Sequence, residues 1–273
     1  MKDQASALRE RPARAPLAPT NGEARALIVG GGKGGAGVSV LSVLIASAMA
    51  RRGRRVLLMD AALNQGNLHV LLSRPPVLTL RALLAGEASP QDLVIPVRDG
   101  LWLLPAESGA EAVHALTPMD RARLHVRLAT LMDDYDLTVV DAGTGIDSVL
   151  RSALTRASRL LAVTTPEPAA LADTYALIKI LSLEAPELPV DVLVNRVRDE
   201  AEGHAAWRRL EDAAGRFLGR SLKWVGSVSE DEQLVRAVRG SHSLTDLDAC
   251  VAPLAEGLMD VLEPVAALGR CSS

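Results

Sequence analysis

Aromatic residues and cysteines are scarce in this chain of 273 residues. Phe, Trp and Tyr make up 2% of the sequence and apolar residues as a whole 48%, so the core has to be aliphatic. The two cysteines, Cys250 and Cys271, lie near the C-terminal end and do not form the closely spaced pair of a metal site. This cysteine usage predicts a reduced protein of the cytoplasm and argues against an iron–sulfur protein.

A large excess of charge and long apolar runs are also missing. The 30 basic and 33 acidic residues leave a net charge of −3, whereas a general nucleic-acid binder would be basic. No apolar run reaches the length of a membrane span, and the charged N-terminus lacks the apolar stretch of a secretory signal. The sequence therefore predicts neither a nucleic-acid partner nor a segment that crosses a membrane.

From residue 26 onwards, short apolar strands alternate with helical stretches. The segments LVIPV and LWLLP predict a strand pair that turns at Asp99 and Gly100. This alternation predicts an α/β fold whose mostly parallel sheet is covered by helices on both faces. The predicted strands are 26–29, 55–60, 136–141 and 189–197, and residues 159–168 predict a further strand followed by a proline-punctuated loop. The predicted helices are 38–52, a stretch after Pro118, and 169–183.

Composition divides the chain into four parts. Residues 1–10 contain a short helical pattern, with a frayed terminus as the alternative, and residues 11–24 form a proline-rich linker that we expect to be flexible. The main domain comprises residues 25–249. Residues 250–273 predict a helix and tail that pack on the domain, and their single basic residue predicts weak membrane binding.

A glycine-rich loop lies between the first predicted strand and the first predicted helix. The stretch from Gly32 to Ser39 reads G-K-G-G-A-G-V-S, and a phosphate-binding P-loop reads G-x-x-x-x-G-K-[ST]. Both glycines and Ser39 fit that pattern, but Val38 stands where the lysine belongs. Such a loop surrounds phosphate oxygens with backbone N–H groups at a helix N-terminus, although plain turn geometry is the alternative.

Several polar residues follow the other predicted strands. Asp60 and Asp141 each end an apolar strand, Glu167 lies in a TTPEP loop, and Asn195 is near the end of the last predicted strand. In parallel sheets, ligands bind beyond the carboxyl ends of the strands, so we expect these residues to form one site with the glycine loop. The alternatives are strand-ending acids, a solvated loop acid and a turn-stabilising asparagine.

Lys33 changes the interpretation of the loop. The form KGGxGK[ST], with an early lysine, is typical of the MinD/ParA class of ATPases, and this sequence resembles that class over almost all of residues 25–245. The segments KGGAG, RRVLLMDAALNQGNLHVLL, DLTVVDAGTGI, TTPEPAALADTYALIK and VLVNRV occur in the order of that class. The TTPEP-to-YALIK segment is similar to the FlhG family, also called FleN, of flagellar-number regulators.

This resemblance implies a MinD/ParA-like P-loop domain that binds ATP or ADP with Mg²⁺ and dimerises with nucleotide. It implies that Lys33 reaches the phosphates of the partner subunit, that Ser39 and Asp141 organise Mg²⁺, and that Asp60 is a secondary catalytic candidate. It further implies that Asn195 recognises adenine and that Glu167 approaches the nucleotide across the dimer. The nucleotide-binding residues would be Gly32, Lys33, Gly34, Gly35, Gly37, Val38, Ser39, Glu167 and Asn195.

The N-terminal segment resembles the D-Q-A-x-x-L-R element of the FlhG family. In that family the element stimulates the GTPase FlhF, a signal-recognition-type protein that places flagella. The resemblance therefore implies an FlhF-type partner, with a flagellar basal-body protein or a transcription regulator as a second one, and a cytoplasmic location that extends to the membrane surface or cell pole. The matching residues are Asp3, Gln4, Ala5, Leu8 and Arg9.

Two departures from the family pattern bear on catalysis. Val38 replaces the lysine that contacts the β- and γ-phosphates, and Ala62 replaces the second acid of a D-x-D motif, which positions the attacking water. We therefore expect a pseudo-ATPase whose nucleotide binding is weakened and whose hydrolysis is slow or lost. The alternatives are an active ATP-dependent dimerisation switch, in which Lys33 compensates for Val38, and a ParA-like partitioning ATPase.

Overall fold

The computed structural model describes residues 26–61, 66–78, 80–106, 117–144, 153–154 and 156–230, together with Glu232 and Arg236. The predictions for residues 1–10, 11–24 and 250–273, and for Ala62, lie outside these residues.

One sheet runs through the described part of the chain. Its strand order is β3-β4-β2-β5-β1-β6-β7-β8, and every neighbouring pair is parallel except β3 and β4. Sequentially adjacent strands that are parallel need a crossover, and helices supply it. The strands are β1 (Ala26–Gly31), β2 (Val56–Asp60), β3 (Ile95–Arg98), β4 (Leu101–Leu104), β5 (Leu137–Asp141), β6 (Ala157–Thr164), β7 (Val190–Val197) and β8 (Lys223–Ser229).

Helices cover both faces of this sheet. Because successive strand side chains point to opposite faces, Leu27 packs with α1 while Ile28 belongs to the core that α4, α5 and α6 cover. The helices are α1 (Val38–Arg51), α2 (Leu68–Leu71), α3 (Leu80–Ala85), α4 (Pro118–Met132), α5 (Pro168–Glu184) and α6 (Glu200–Leu218), and a 3₁₀ turn spans Pro90–Leu93.

Local sequence signals set the ends of these helices. Thr117 caps α4 by accepting a hydrogen bond from the Asp120 N–H, and Pro118 occupies the first helical position, where its missing N–H is harmless. Asp199 caps α6 in the same way, and Gly219 ends that helix with a φ of 64°. Helices α4 and α6 therefore begin where a side chain satisfies one of the free backbone N–H groups.

The predicted α/β fold class is confirmed, as is the antiparallel strand pair at Asp99 and Gly100. Helix α6 and strand β8 extend the predicted order. The apolar spacing of α6, with buried Ala206, Leu210 and Ala214, is a signal that the sequence does carry. Strand β8 is harder to predict because its apolar residues are few. No helix in the described ranges is long and apolar enough to cross a membrane.

Candidate nucleotide-binding site

The predicted site residues meet at one edge of the sheet. Asp60 and Asp141 are register partners on the parallel strands β2 and β5, and Asp141 is also paired with Val29 on β1, just before the glycine loop. Strand β6 leads into the loop with Glu167, and Asn195 lies near the end of β7. Since β2, β5, β1, β6 and β7 are consecutive in the sheet, the carboxyl ends of five neighbouring strands form a single site.

The glycine loop needs glycine at several positions, and the most crowded of these are Gly32 and Gly37. Gly37 precedes α1 with a φ of 93°, and a Cβ atom there would lie 2.4 Å from the Asn195 side-chain nitrogen. A Cβ atom at Gly32 would lie 1.9 Å from the backbone carbon of Asp173 in α5. The loop is therefore pressed between β7 on one side and the backbone of α5 on the other, while Gly34 and Gly35 are exposed at its tip.

Val38 is part of the aliphatic core rather than of the solvent-facing side of the loop. Its side chain is 6% exposed, and its Cγ2 atom lies 2.8 Å from where a Cβ atom of Gly31 would be. Valine carries no charge and no hydrogen-bond donor, so this position gives nothing to a phosphate group. The structure thus has the shape of a phosphate loop without the cation that follows its last glycine.

Asp141 is a buried carboxylate with an unsatisfied oxygen. The side chain is 1% exposed, Oδ1 accepts a hydrogen bond of 2.9 Å from the Gly143 N–H, and Oδ2 has no hydrogen-bond partner among the described residues. Burial raises the pKa of Asp141, and the Ser39 hydroxyl and the Gly143 N–H act in the opposite direction. A buried oxygen without a donor is typical of a group that binds a ligand or ion.

The residues present fit a magnesium ion. Mg²⁺ prefers oxygen ligands and is usually held by one or two protein oxygens together with waters and substrate phosphates. The Asp141 carboxylate at the end of β5 and the nearby Ser39 hydroxyl at the start of α1 are such oxygens. The described residues contain no group of three or more His, Cys, Asp or Glu side chains that could hold a metal ion.

Asp60 has a structural role in addition to its place beside Asp141. Its side chain is 2% exposed, and Oδ2 accepts a hydrogen bond of 3.2 Å from the Leu68 N–H at the start of α2. This contact ties the segment after β2 back to the strand end.

Lys33 and Glu167 form an ion pair within the same subunit. The Lys33 Nζ atom lies 2.9 Å from Glu167 Oε2, with the side chains 44% and 63% exposed. The hydrogen bond from Lys33 and its charge lower the pKa of Glu167, and the Thr165 hydroxyl donates a further bond of 3.4 Å. The two residues that the family resemblance assigns to contacts across a dimer are therefore paired with each other here.

Two residues of β7 hold the glycine loop. Asn195 Nδ2 donates to the Ala36 carbonyl at 2.8 Å, and Arg196 Nη1 donates to the Gly35 carbonyl at 3.3 Å. Arg196 has a φ of 59°, which is uncommon for a residue other than glycine. Sequence reasoning missed Arg196 because no motif marks it and positive φ cannot be read from a single arginine.

Comparison with known proteins shows the family of this chain. The family model described as an AAA domain matches residues 24–186. The antiactivator FleN of Pseudomonas aeruginosa is 35% identical over 218 residues, which cover 80% of this chain and 78% of that protein. The chain belongs to the FlhG/FleN family of MinD/ParA-like proteins. Another similar protein is the flagellum site-determining protein YlxH of Helicobacter pylori, 30% identical over 80% of this chain and 74% of that protein.

Solved structures agree on the fold of this FlhG/FleN family member. The cell division ATPase MinD of Pyrococcus furiosus superposes with a TM-score of 0.71 at 24% identity, covering 90% of this chain and 99% of that one. The septum site-determining protein MinD of Pyrococcus horikoshii, solved in complex with Mg-ADP, gives a TM-score of 0.70 at 22% identity, covering 91% and 99%. These likenesses show that the fold is the MinD/ParA-type P-loop fold.

Proposed function

We propose that this chain regulates flagellar number and placement, binds ATP or ADP with Mg²⁺ weakly, and hydrolyses ATP slowly or not at all. The observation that carries the proposal is Val38: the loop and the strand-end acids are in place around it, but its side chain is packed into the core. The flagellar role rests on family membership, since one similar protein is named an antiactivator and another a flagellum site-determining protein.

Nucleotide binding would rest on groups that the described residues retain. Backbone N–H groups of the glycine loop and the N-terminus of α1 face anionic ligands favourably. Lys33 supplies a positive charge at the tip of the loop, and Ser39 and Asp141 would hold Mg²⁺. The bound metal would neutralise phosphate charge, and the chain's own residues would orient the nucleotide.

Weak hydrolysis follows from what Val38 cannot do. A charge-assisted hydrogen bond contributes roughly 1.5–3 kcal/mol, so its loss corresponds to an affinity that is about ten- to a hundredfold lower. Charge that develops in the transition state also lacks this neutralising partner, and phosphoryl transfer depends on such stabilisation.

Dimerisation would require an exchange of partners at Lys33. In the described subunit its ammonium group is bound to Glu167, so contact with a second subunit's nucleotide needs this exposed ion pair to open. Exposed pairs of this kind contribute little to stability, so a nucleotide phosphate could replace Glu167 at Lys33. We propose a nucleotide-dependent homodimer on this basis.

The partners proposed for this chain are an FlhF-type GTPase, reached through Asp3–Arg9, and a transcription regulator or basal-body protein. The name antiactivator of the similar Pseudomonas protein supports a transcription regulator as the second partner. We propose a cytoplasmic protein with weak membrane affinity that acts near the cell pole.

Steady-state ATP hydrolysis by the purified chain with Mg²⁺, with and without an FlhF-type GTPase, tests the catalytic part of the proposal. We expect turnover far below that of family members that carry the P-loop lysine. Turnover within the range of those members would contradict it and would support the second candidate, an active dimerisation switch. That candidate is favoured by the exposed Lys33, the one family cation that the loop retains.

A further inference from the structure

We infer that Asn195 and Arg196 form a loop clamp, a pair of side chains that holds the glycine loop from its outer side in the form that binds phosphate. This inference rests on the proposed nucleotide binding and assigns a role to Arg196, a residue outside the family motif. It also gives Asn195 a role other than the recognition of adenine that the resemblance implies.

The clamp residues donate hydrogen bonds to the carbonyl groups of two consecutive loop residues. Arg196 Nη1 donates to the Gly35 carbonyl at 3.3 Å, and Asn195 Nδ2 donates to the next carbonyl, that of Ala36, at 2.8 Å. The two clamp residues are also joined, because the Arg196 N–H donates to Asn195 Oδ1 at 3.0 Å. The Asn195 amide therefore contacts the loop through Nδ2 and the Arg196 backbone through Oδ1.

The direction of these two carbonyls fixes the direction of the N–H groups that follow them. A trans peptide unit is planar, and its C=O and N–H bonds point in opposite directions. With the carbonyls of Gly35 and Ala36 turned outward to β7, the N–H groups of Ala36 and Gly37 point inward. The Ala36 N–H donates a hydrogen bond of 3.4 Å to the Lys33 carbonyl, three residues earlier, and this bond closes a turn within the loop. Inward N–H groups are what a phosphate-binding loop requires.

The backbone of Arg196 is strained in a way that this role explains. Its φ of 59° coincides with a register irregularity between β7 and β8, next to Asn195. Strained residues persist where the surrounding structure holds them, and they are concentrated at functional sites. A second guanidinium nitrogen, Nη2, lies 3.7 Å from Glu230 at the end of β8, so the side chain is fixed from two directions. In a loop without the P-loop lysine, this clamp would preserve the backbone N–H groups on which binding depends.

The test is competition binding with two probes. A labelled non-hydrolysable ATP analogue is displaced either by unlabelled ATP or by tripolyphosphate, both with Mg²⁺, in the full chain and in Asn195→Ala, Arg196→Gly and Arg198→Ala. Tripolyphosphate has no base, so it reports the phosphate loop alone. Arg198→Ala is the matched control. Arg198 lies two residues after Arg196 and carries the same charge, but its side chain pairs with Glu202 in α6.

The clamp predicts that Asn195→Ala and Arg196→Gly each weaken the binding of ATP and the binding of tripolyphosphate by the same factor. We expect a factor of about three to ten, the size that corresponds to the loss of one partly exposed hydrogen bond. Arg198→Ala keeps wild-type affinity for both probes. Arg196→Lys, which keeps the positive charge, recovers part of the loss.

Thermal unfolding separates the clamp from a general structural role. Glycine accepts a positive φ without strain, so Arg196→Gly should unfold at or above the wild-type temperature while it binds more weakly. A residue that only stabilised the fold would lower both the unfolding temperature and the affinity.

Three results would overturn the clamp. Asn195→Ala could have a lower affinity for ATP and an unchanged affinity for tripolyphosphate, which would mean that Asn195 recognises the base. Both variants could bind like wild type, which would remove the clamp and leave the proposed function standing. Wild type could bind neither probe, in which case the proposed nucleotide binding and the clamp would both be wrong.

Discussion

At the scale of single residues, Val38 decides what kind of nucleotide site this is. Its side chain is packed against the end of β1 and belongs to the core beneath α1. The position therefore contributes to stability through burial of an aliphatic group, while it gives no charge to a phosphate. Replacement of Val38 by lysine should therefore lower the stability of the fold and raise the affinity for nucleotide.

The variant Val38→Lys tests these opposite effects on stability and on nucleotide affinity. We expect it to lower the unfolding temperature of the ligand-free chain, because about 1 kcal/mol or more of aliphatic burial is lost. It should also tighten the binding of Mg-ATP by about ten- to a hundredfold, because a charge-assisted hydrogen bond is gained. Combined with Ala62→Asp, it should restore measurable ATP turnover. Unchanged affinity and turnover in the double variant would mean that the loop has lost its catalytic geometry for another reason.

Asp141 is the residue that links the site to pH. Its pKa is raised by burial, so the folded chain holds this proton over a pH range in which the unfolded chain has lost it. Stability therefore falls as pH rises from about 3.9, the ordinary pKa of aspartate, through the raised folded value. Above the raised folded pKa the ionised Asp141 destabilises the ligand-free fold, and a bound cation would offset this.

The variant Asp141→Asn should raise the unfolding temperature of the ligand-free chain at a pH at which Asp141 is ionised, because a buried charge is removed, and the gain should shrink as the pH falls. The amide oxygen can still accept the Gly143 N–H. The additional stabilisation by Mg-ATP over ATP alone should disappear. Thermal unfolding with ATP, with and without Mg²⁺, measures both effects, and an undiminished magnesium effect would remove Asp141 from the metal site.

At the scale of elements, the contact between the glycine loop and α5 was not foreseeable. The TTPEP-to-YALIK segment predicted the family, but only the structure shows that the backbone of α5 at Asp173 and Thr174 touches Gly32. A close approach of two backbones leaves no pattern in a single sequence beyond the glycine itself. Through this contact the glycine loop packs directly on α5, the helix that follows the loop with Glu167.

The pair Gly32→Ala and Gly34→Ala tests that contact. A Cβ atom at Gly32 would overlap the α5 backbone, whereas at Gly34 no atom lies within 4 Å. Overpacking of this kind destabilises by about 1–3 kcal/mol, so Gly32→Ala should lower the unfolding temperature and weaken nucleotide binding. Gly34→Ala should leave the unfolding temperature unchanged, because its Cβ atom meets nothing. If both variants unfold like wild type, the loop can move away from α5 without consequence.

Much of the fold and part of the site could be predicted from the sequence. Apolar strands ending in Asp60 and Asp141 predicted the sheet and the edge at which these carboxylates lie together, because parallel strands place their carboxyl ends side by side. The pairing of Lys33 with Glu167 and the clamp by Arg196 could not be predicted. They depend on side-chain positions across distant loops, and on a backbone conformation that arginine rarely adopts.

At the scale of the whole molecule, nucleotide binding and partner activation are assigned to separate parts of the chain. Deletion of residues 2–9 should abolish stimulation of an FlhF-type GTPase, because Asp3, Gln4, Ala5, Leu8 and Arg9 would be lost. The same deletion should leave the affinity for Mg-ATP unchanged within about twofold, since the site lies between β1 and β7. GTP hydrolysis and nucleotide titration on the same preparation measure both. Full GTPase stimulation by the truncated chain would move partner recognition to the folded domain.

The central claim, a phosphate site that still binds nucleotide without its lysine, is tested most directly by titration of the intact chain with a labelled non-hydrolysable ATP analogue and Mg²⁺, while the molecular mass is followed. We predict binding in the micromolar range together with a doubling of mass, and loss of the doubling in Lys33→Ala. An absence of binding up to millimolar nucleotide would contradict the claim and would leave the fold as a scaffold for partner binding alone.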